Sequence, residues 1–121
     1  MPDSISAYAK GVMGETAAAR FLEASGMQVL ERRFRSPVGE IDLILLEGKT
    51  LVFAEVKARE RQSCAQAQYA VTPAKQRRLV QTACWYLGQH PEHQQRLMRF
   101  DVVISAQDGM AHIPNAFEGS M

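Results

Sequence analysis

No run of apolar residues in this chain approaches the roughly 18 that a membrane-spanning helix needs. The first residues, MPDSISAYAKG, also lack the apolar stretch that a signal peptide carries. We therefore expect a soluble, cytoplasmic protein with no membrane partner, in a compartment that keeps thiols reduced.

Cysteine and histidine patterns that bind metals are missing too. The two cysteines, Cys64 and Cys84, do not have metal-site spacing, and the apolar helical pattern around Cys84 predicts a core position. The histidines at 90, 93 and 112 are scattered along the chain, so the sequence shows no histidine metal site.

A strong excess of positive charge is also absent, because 14 Lys and Arg are balanced by 13 Asp and Glu. Nucleic acid is therefore expected to bind only through a local basic patch. The length of 121 residues predicts a single domain, residues 1–121, and 46% hydrophobic content is typical of a globular chain.

The most informative segment is a predicted β-hairpin between Gly39 and Arg59. Two strand-like runs, residues 40–46 and 50–57, flank the turn signal Glu47-Gly48-Lys49. Both faces of these strands are apolar near the turn, which is typical of strands in the middle of a covered sheet.

The turn fixes the register of this hairpin. A two-residue loop at Gly48-Lys49 sets Asp42 opposite Glu55 and Glu40 opposite Lys57, and a symmetric four-residue loop gives the same alignment. Because side chains alternate along a strand, the three acids and the lysine share one face.

This charge cluster has two interpretations. Close carboxylates repel each other, and a hard divalent cation with oxygen ligands compensates that repulsion. Alternatively, the strand end is solvated, Lys57 neutralises Glu40, and the other acids reach water. The spacing alone leaves both interpretations open.

The whole chain predicts the element order α-β-β-β-α-β-β. The predicted elements are a helix at 10–25, a strand at 27–34, the hairpin, a helix from Thr72-Pro73 to about Leu87, and strands at 99–104 and 111–113. The predicted buried faces are Ala17, Ala18, Phe21 and Leu22 on the first helix, and Leu79, Val80, Ala83, Cys84 and Leu87 on the second. As a lone acid on a helix, Glu15 is expected to face solvent, and Asp101, which interrupts its strand, is expected to cap or pair locally.

Two strings carry a resemblance to a known family. They are Gly39-Glu40-Ile41-Asp42-Leu43-Ile44 and, thirteen residues after Asp42, Glu55-Val56-Lys57. With them the chain resembles the PD-(D/E)xK nuclease superfamily and, more narrowly, the YraN-like family of small bacterial proteins, which are relatives of the archaeal Holliday junction resolvases. The resemblance covers almost the whole chain, including Gly14-Glu15, Val71-Thr72, Lys75-Gln76-Arg77-Arg78, 99–103 and Asn115-Ala116-Phe117.

The resemblance implies a restriction-endonuclease-like α/β fold, in which helices flank a mixed central sheet, and a metal-dependent phosphodiesterase site. Asp42 and Glu55 would ligate Mg²⁺ or Mn²⁺, together with the Val56 carbonyl. Glu15 would reach in from the first helix, and Lys57 would position the attacking water or stabilise charge on the phosphate. The implied catalytic residues are thus Asp42, Glu55, Lys57 and Glu15.

Structured or single-stranded DNA is the expected substrate, and Arg35, Arg59, Lys75 and Arg78 are the predicted phosphate contacts. Cations in the first turns of the second helix oppose its dipole, which suggests either an anionic partner or, as the favoured alternative, a solvated charged turn. Arg33 stands where the resemblance leads us to expect Asn. The alternative function is a catalytically silent nucleic-acid-binding or scaffold protein on the same fold, and a homodimer is expected by analogy with the resolvases.

Overall fold

Helices and strands follow one another in the predicted order. The computed structural model describes residues 7–59, 61–67 and 71–119. Within these residues the elements are α1 (Ala7–Ala24), β1 (Gln28–Ser36), β2 (Gly39–Glu47), β3 (Thr50–Arg59), α2 (Pro73–Gln89), a short 3₁₀ helix (Pro91–His93), β4 (Met98–Ala106) and β5 (Gly109–Phe117). No helix in this part of the chain is long and apolar enough to cross a membrane.

The strands form one mixed sheet in the order β1-β2-β3-β4-β5. Neighbours are antiparallel except β3 and β4, which run parallel. A parallel pair needs a long crossover connection, and α2 supplies it here. The prediction of a mixed sheet flanked by helices, of the restriction-endonuclease type, is confirmed.

The hairpin between β2 and β3 has the predicted turn. Gly48 adopts a φ of +61°, which the first position of a II′ loop requires and which glycine reaches without strain. The ladder runs from Glu47–Thr50 to Leu43–Ala54 in the predicted register. It does not extend to the predicted pairs Asp42–Glu55 and Glu40–Lys57.

Each face of the sheet is covered by one helix. Ala18, Ala19 and Leu22 of α1 pack on Leu43, Leu45, Val52 and Ala54. Leu79, Ala83 and Tyr86 of α2 pack on Ile44, Leu51, Phe53 and Phe100. The two apolar faces that the hairpin pattern predicted are therefore both buried.

Both helices are rotated relative to the predicted buried faces. Ala17, Phe21 and Cys84 are exposed rather than buried. On α2 the buried face includes Thr82 and Tyr86. The Thr82 hydroxyl donates a hydrogen bond to the Arg78 carbonyl at 2.7 Å, so it is satisfied although buried. A satisfied hydroxyl can be buried at little cost, so α2 turns towards these residues and turns Cys84 outwards.

Asp101 organises the edge strand β5. It is 1% exposed, is bonded by Arg99 and His112, and accepts the Asn115 backbone N–H at 2.9 Å. The predicted local pairing of Asp101 is thus confirmed. The register of β4 and β5 shifts between Phe100 and Val102, and this anchored irregularity lets β5 run to Phe117 instead of ending at the predicted residue 113.

Candidate active site

A cleft of about 300 Å³ opens where β2 and β3 separate, beside the start of α2. Its lining includes Gly39, Glu40, Asp42, Glu55, Lys75, Arg78 and Leu79. The structure therefore brings Asp42 and Glu55 to the same cavity, although the ladder between their strands has already ended.

Asp42 ends the ladder by using its side chain in place of the backbone. Its Oδ2 atom accepts a hydrogen bond from the Val56 backbone N–H at 2.8 Å. The Asp42 carboxylate is thereby held against β3 at Val56, the residue that follows Glu55. Glu40 turns instead to the exposed Arg35, with 3.8 Å between Glu40 Oε1 and Arg35 Nε. The predicted ladder pairs of Asp42 and Glu40 are thus replaced by side-chain interactions of these two residues with other groups.

The carboxyl group of Asp42 has a strongly perturbed acidity. Burial raises its pKa to about 7, the negative charge of Glu55 adds to that rise, and Glu15 contributes as well. The Val56 N–H and the Lys75 ammonium act in the opposite direction. A group with such a pKa holds a proton close to neutral pH, and a bound cation would compete with that proton.

Glu55 is buried, at 9% exposure, and it is ion-paired. The distance from Glu55 Oε1 to Lys75 Nζ is 2.9 Å. Lys75 was predicted to be a phosphate contact, and the structure places it inside the cleft, as the partner of the buried acid. The sequence signal was the cation in the first turn of α2, where it opposes the helix dipole.

Lys57 is half-buried, and burial lowers the pKa of its ammonium, with nearby Lys75 lowering it further. The charges of Glu55 and Asp42 favour its protonated form. Lys57 is thus close enough to both acids to feel their charge, although it is not among the side chains that line the cleft.

Glu15 points inwards from α1. Its side chain is 13% exposed, its charge acts on Asp42, and its Oε1 lies 3.4 Å from Arg33 Nε. The expectation of a solvent-facing Glu15 was therefore wrong, and the inward position that the resemblance implied is the one observed. Within the described residues, Glu15 Oε1 has no hydrogen-bond partner.

Arg33 occupies an unusual backbone conformation in β1. Its φ is +54°, in the left-handed region that Asn enters several times more often than other non-glycine residues. The Asn that the resemblance led us to expect would suit this φ. Arg33 instead adds a guanidinium beside Glu15. Glu15 and Glu55 thus each have a basic partner, Arg33 and Lys75 respectively.

The acids that face the cleft are candidate ligands for a divalent ion. Among residues 7–59, 61–67 and 71–119, no three Asp, Glu, His or Cys side chains are grouped closely enough to hold a metal together. Asp42 and Glu55 remain as a pair facing one cleft. Mg²⁺ is often held by only one or two carboxylates, with water and substrate phosphate completing its shell, so this pair fits such an ion.

The four predicted phosphate contacts lie at different distances from the acids. Lys75 and Arg78 line the cleft, and Arg78 is exposed to solvent. Arg35 is linked to the cleft through Glu40. Arg59 lies at the end of β3, where its Nη1 donates to the Ala58 carbonyl at 2.7 Å.

Comparison with known proteins places this chain in a family. The model of "Uncharacterised protein family UPF0102" matches residues 14–104, which include the cleft residues described above. A "UPF0102 protein" of Rhodopseudomonas palustris (strain BisB18) is 42% identical over 120 residues, covering 98% of this chain and 87% of the relative. UPF0102 protein bll0669 of Bradyrhizobium diazoefficiens is 38% identical over 120 residues, covering 98% and 89%. The chain therefore belongs to the UPF0102 family, the YraN-like family that it was predicted to resemble.

Proposed function

We propose that this protein is a metal-dependent nuclease that hydrolyses phosphodiester bonds in structured or single-stranded DNA, with Mg²⁺ or Mn²⁺ as its cofactor. The observation that carries the proposal is the convergence of Asp42 and Glu55 on one cleft, with Lys75 and Arg78 in its wall. Carboxylates suit a hard cation, and the two basic side chains suit the phosphate that the cation would share.

Each residue of the cleft has a role in this proposal. Asp42 and Glu55 hold the ion, and the hydrogen bond from Val56 N–H fixes the Asp42 carboxylate in place. Bound there, Mg²⁺ or Mn²⁺ supplies Lewis acidity and a water of lowered pKa. Lys57 has a lowered pKa and lies near both acids, so it orients the attacking water or neutralises charge on the phosphate.

Three further residues act on the substrate or on the acids. Arg78, exposed at the cleft wall, pairs with phosphate oxygens of the bound strand. Lys75 pairs with Glu55 in this structure and would be available to a phosphate oxygen if an ion neutralised Glu55. Glu15 raises the negative potential around Asp42 from the side of α1.

A second function has a specific observation in its favour. Lys75 already neutralises Glu55, and Arg33 neutralises Glu15. Of the three acids Asp42, Glu55 and Glu15, two are therefore compensated without a metal. A nucleic-acid-binding or scaffold protein on a nuclease fold needs no more than that. The two functions differ in whether the intact chain cuts a phosphodiester bond in the presence of Mg²⁺ or Mn²⁺.

The test is incubation of the purified protein with Mn²⁺ and a panel of branched, flapped and single-stranded DNA and RNA. The wild type is compared with Asp42→Asn, Glu55→Ala and Lys57→Ala, and Glu40→Gln is the matched control because Glu40 is an exposed acid of the same cleft. Cleavage that is lost in the first three variants and kept in Glu40→Gln supports the nuclease.

Other outcomes decide against it. Binding of these substrates without any cleavage by the wild type identifies the silent binding protein. Cleavage that survives unchanged in Asp42→Asn and Lys57→Ala comes from another enzyme in the preparation.

A further inference from the structure

One flank of α2 carries a line of side chains that leads away from the cleft. Lys75 and Arg78 belong to the cleft, Thr82 follows one turn later, and Trp85 follows at the next turn. Since these positions are three or four residues apart, they lie on the same side of the helix. Trp85 is 36% exposed at the far end of this line.

The tip of the β1–β2 hairpin forms the other wall along this line. A Cβ atom on Gly39 would lie 2.6 Å from the Thr82 hydroxyl and 3.7 Å from the Arg78 carbonyl oxygen, so the hairpin is in direct contact with α2 there. Val38, beside Gly39, is 41% exposed. The cleft itself ends at this contact, and Trp85 lies beyond it on the exposed surface between α2 and β1.

The Trp85 ring lies beside one aromatic ring, which is itself packed against another. Its centroid lies 6.0 Å from that of Phe34, and Phe34 makes an edge contact with the buried Tyr86 at 5.2 Å. An aromatic ring with such backing loses little conformational entropy when a flat ligand covers its exposed part.

The charges along this surface are complementary to a nucleic-acid backbone. Lys75 and Arg78 lie at the cleft end, and Arg35 lies on the hairpin, in a pair with Glu40 in which both side chains are more than 60% exposed. Such a pair is weak and is easily exchanged for a phosphate. Basic side chains that track a backbone, beside an aromatic ring on which a base stacks, are the elements of single-strand recognition.

We propose that Trp85 is the stacking platform for an unpaired base of a single-stranded nucleic acid whose phosphates contact Arg78 and, when an ion neutralises Glu55, Lys75. The rise of α2 between positions 78 and 85 is about 10 Å, which spans about three nucleotides of a stacked strand. The bases of an intact duplex are stacked on each other, so the proposal selects single-stranded DNA or the unpaired arm of a branched one. That the strand runs from Trp85 into the cleft rests on the proposed function, whereas stacking on Trp85 does not depend on cleavage.

Trp85 is the single tryptophan of the chain, so its fluorescence reports directly on this contact. The full-length protein is titrated with a short oligothymidylate and with a duplex of the same length, in EDTA so that no phosphodiester bond is cut. We expect saturable quenching by the single strand and much weaker quenching by the duplex. We expect Trp85→Ala to bind the oligothymidylate about five- to a hundredfold more weakly, and Trp85→Phe to keep most of the affinity.

The chain offers matched controls. Phe21 on α1 has 37% exposure against 36% for Trp85, so Phe21→Ala removes a similar aromatic ring from the other side of the sheet. Arg77 lies about 100° around the axis of α2 from Arg78 and lines a different pocket, so Arg77→Ala should weaken binding less than Arg78→Ala. Anisotropy of labelled oligonucleotide measures affinity for variants without tryptophan, and circular dichroism checks that each variant is folded.

The proposal is overturned if Trp85→Ala binds as tightly as the wild type, if no oligonucleotide binds, or if saturating oligonucleotide leaves the fluorescence unchanged. It is also overturned if sedimentation shows a dimer that Trp85→Ala dissociates, since Trp85 would then face a second copy. Quenching of Trp85 fluorescence without cleavage of any substrate would refute the proposed nuclease and support the stacking site. Cleavage without quenching would support the nuclease and refute the stacking site.

Discussion

The ammonium group of Lys75, in the first turn of α2, lies 2.9 Å from the carboxylate of Glu55 in the middle of the sheet. Helix and sheet therefore meet in a charged contact at the buried acid of the cleft. Because Glu15 reaches the same region from α1, the cleft combines side chains from both helical layers with those of β2 and β3.

Replacing Lys75 by Met should destabilise the metal-free protein by about 1–2 kcal/mol. Glu55 would remain buried without its partner, and the cost is below that of a fully buried pair because the Lys75 side chain is 38% exposed. Urea unfolding in EDTA measures the change. Lys49→Met, in the exposed hairpin turn, is the control and should change the free energy of unfolding by less than about 0.5 kcal/mol. An equal effect of both variants would contradict the buried ion pair.

The stability of the metal-free protein should fall as pH rises from about 4 to about 7. The pKa of Asp42 is 3.8 when unperturbed and about 7 in the folded protein, so over this range the unfolded chain loses the proton first. Stability then decreases with pH by up to about 4 kcal/mol from this group and levels off above pH 7. Asp42→Asn should flatten that part of the profile, measured by denaturant unfolding in EDTA. A profile that is the same in both proteins would refute the perturbed carboxyl group.

The contribution of Asp101 to stability should depend on pH in the opposite direction from that of Asp42. Burial acts to raise its pKa, but hydrogen bonds from Arg99, the Asn115 N–H and His112 hold it below the ordinary value. Its contribution to stability is therefore complete above about pH 4 and is lost as pH falls through the lowered pKa.

Replacing Asp101 by Ala should cost about 3–5 kcal/mol at neutral pH, because the variant leaves buried partners without their acceptor. Denaturant unfolding measures this loss, and amide hydrogen exchange should show weakened protection at Asn115. Asp108→Ala removes an exposed acid that accepts the Cys64 N–H and should cost less than about 1 kcal/mol. Comparable losses in the two variants would argue against Asp101 as the anchor of β5.

Mg²⁺ or Mn²⁺ should raise the thermal stability of the wild type. An ion at a hundred times its dissociation constant stabilises the folded state by about 2.7 kcal/mol. Differential scanning calorimetry with and without Mn²⁺ measures the shift in Tm. Asp42→Asn should abolish it, and Glu40→Gln should keep it because Glu40 is bound to Arg35 at the rim. A wild type whose Tm does not respond to either ion has no chelating site in this cleft.

Local sequence signals predicted the part of the site that depends on one turn. Gly48 set the register of β2 and β3, and that register carried Asp42 and Glu55 towards each other. The resemblance, and not the helix pattern, placed Glu15 inwards. Periodicity on a helix rich in Ala does not distinguish neighbouring faces, which is why Phe21 and Cys84 were assigned to the core.

Contacts between distant segments were beyond reach of the sequence. The pairing of Lys75 with Glu55 depends on how α2 docks across the sheet, and that docking depends on the close approach of Gly39 to Thr82. Trp85 gave no signal in the sequence, because its position relative to the cleft follows from the same docking. The register shift between Phe100 and Val102 likewise could not be predicted without knowing that Asp101 is a buried acceptor for the Asn115 N–H.

The early end of the β2–β3 ladder has a consequence for the engineering of this protein. Asp42 accepts the Val56 N–H with its side chain at the point where the two strands stop pairing, so the cleft lies where further backbone pairing is lost. Engineering for heat resistance alone would therefore favour apolar replacements at position 42, and such variants would gain stability while losing one of the two acids that face the cleft.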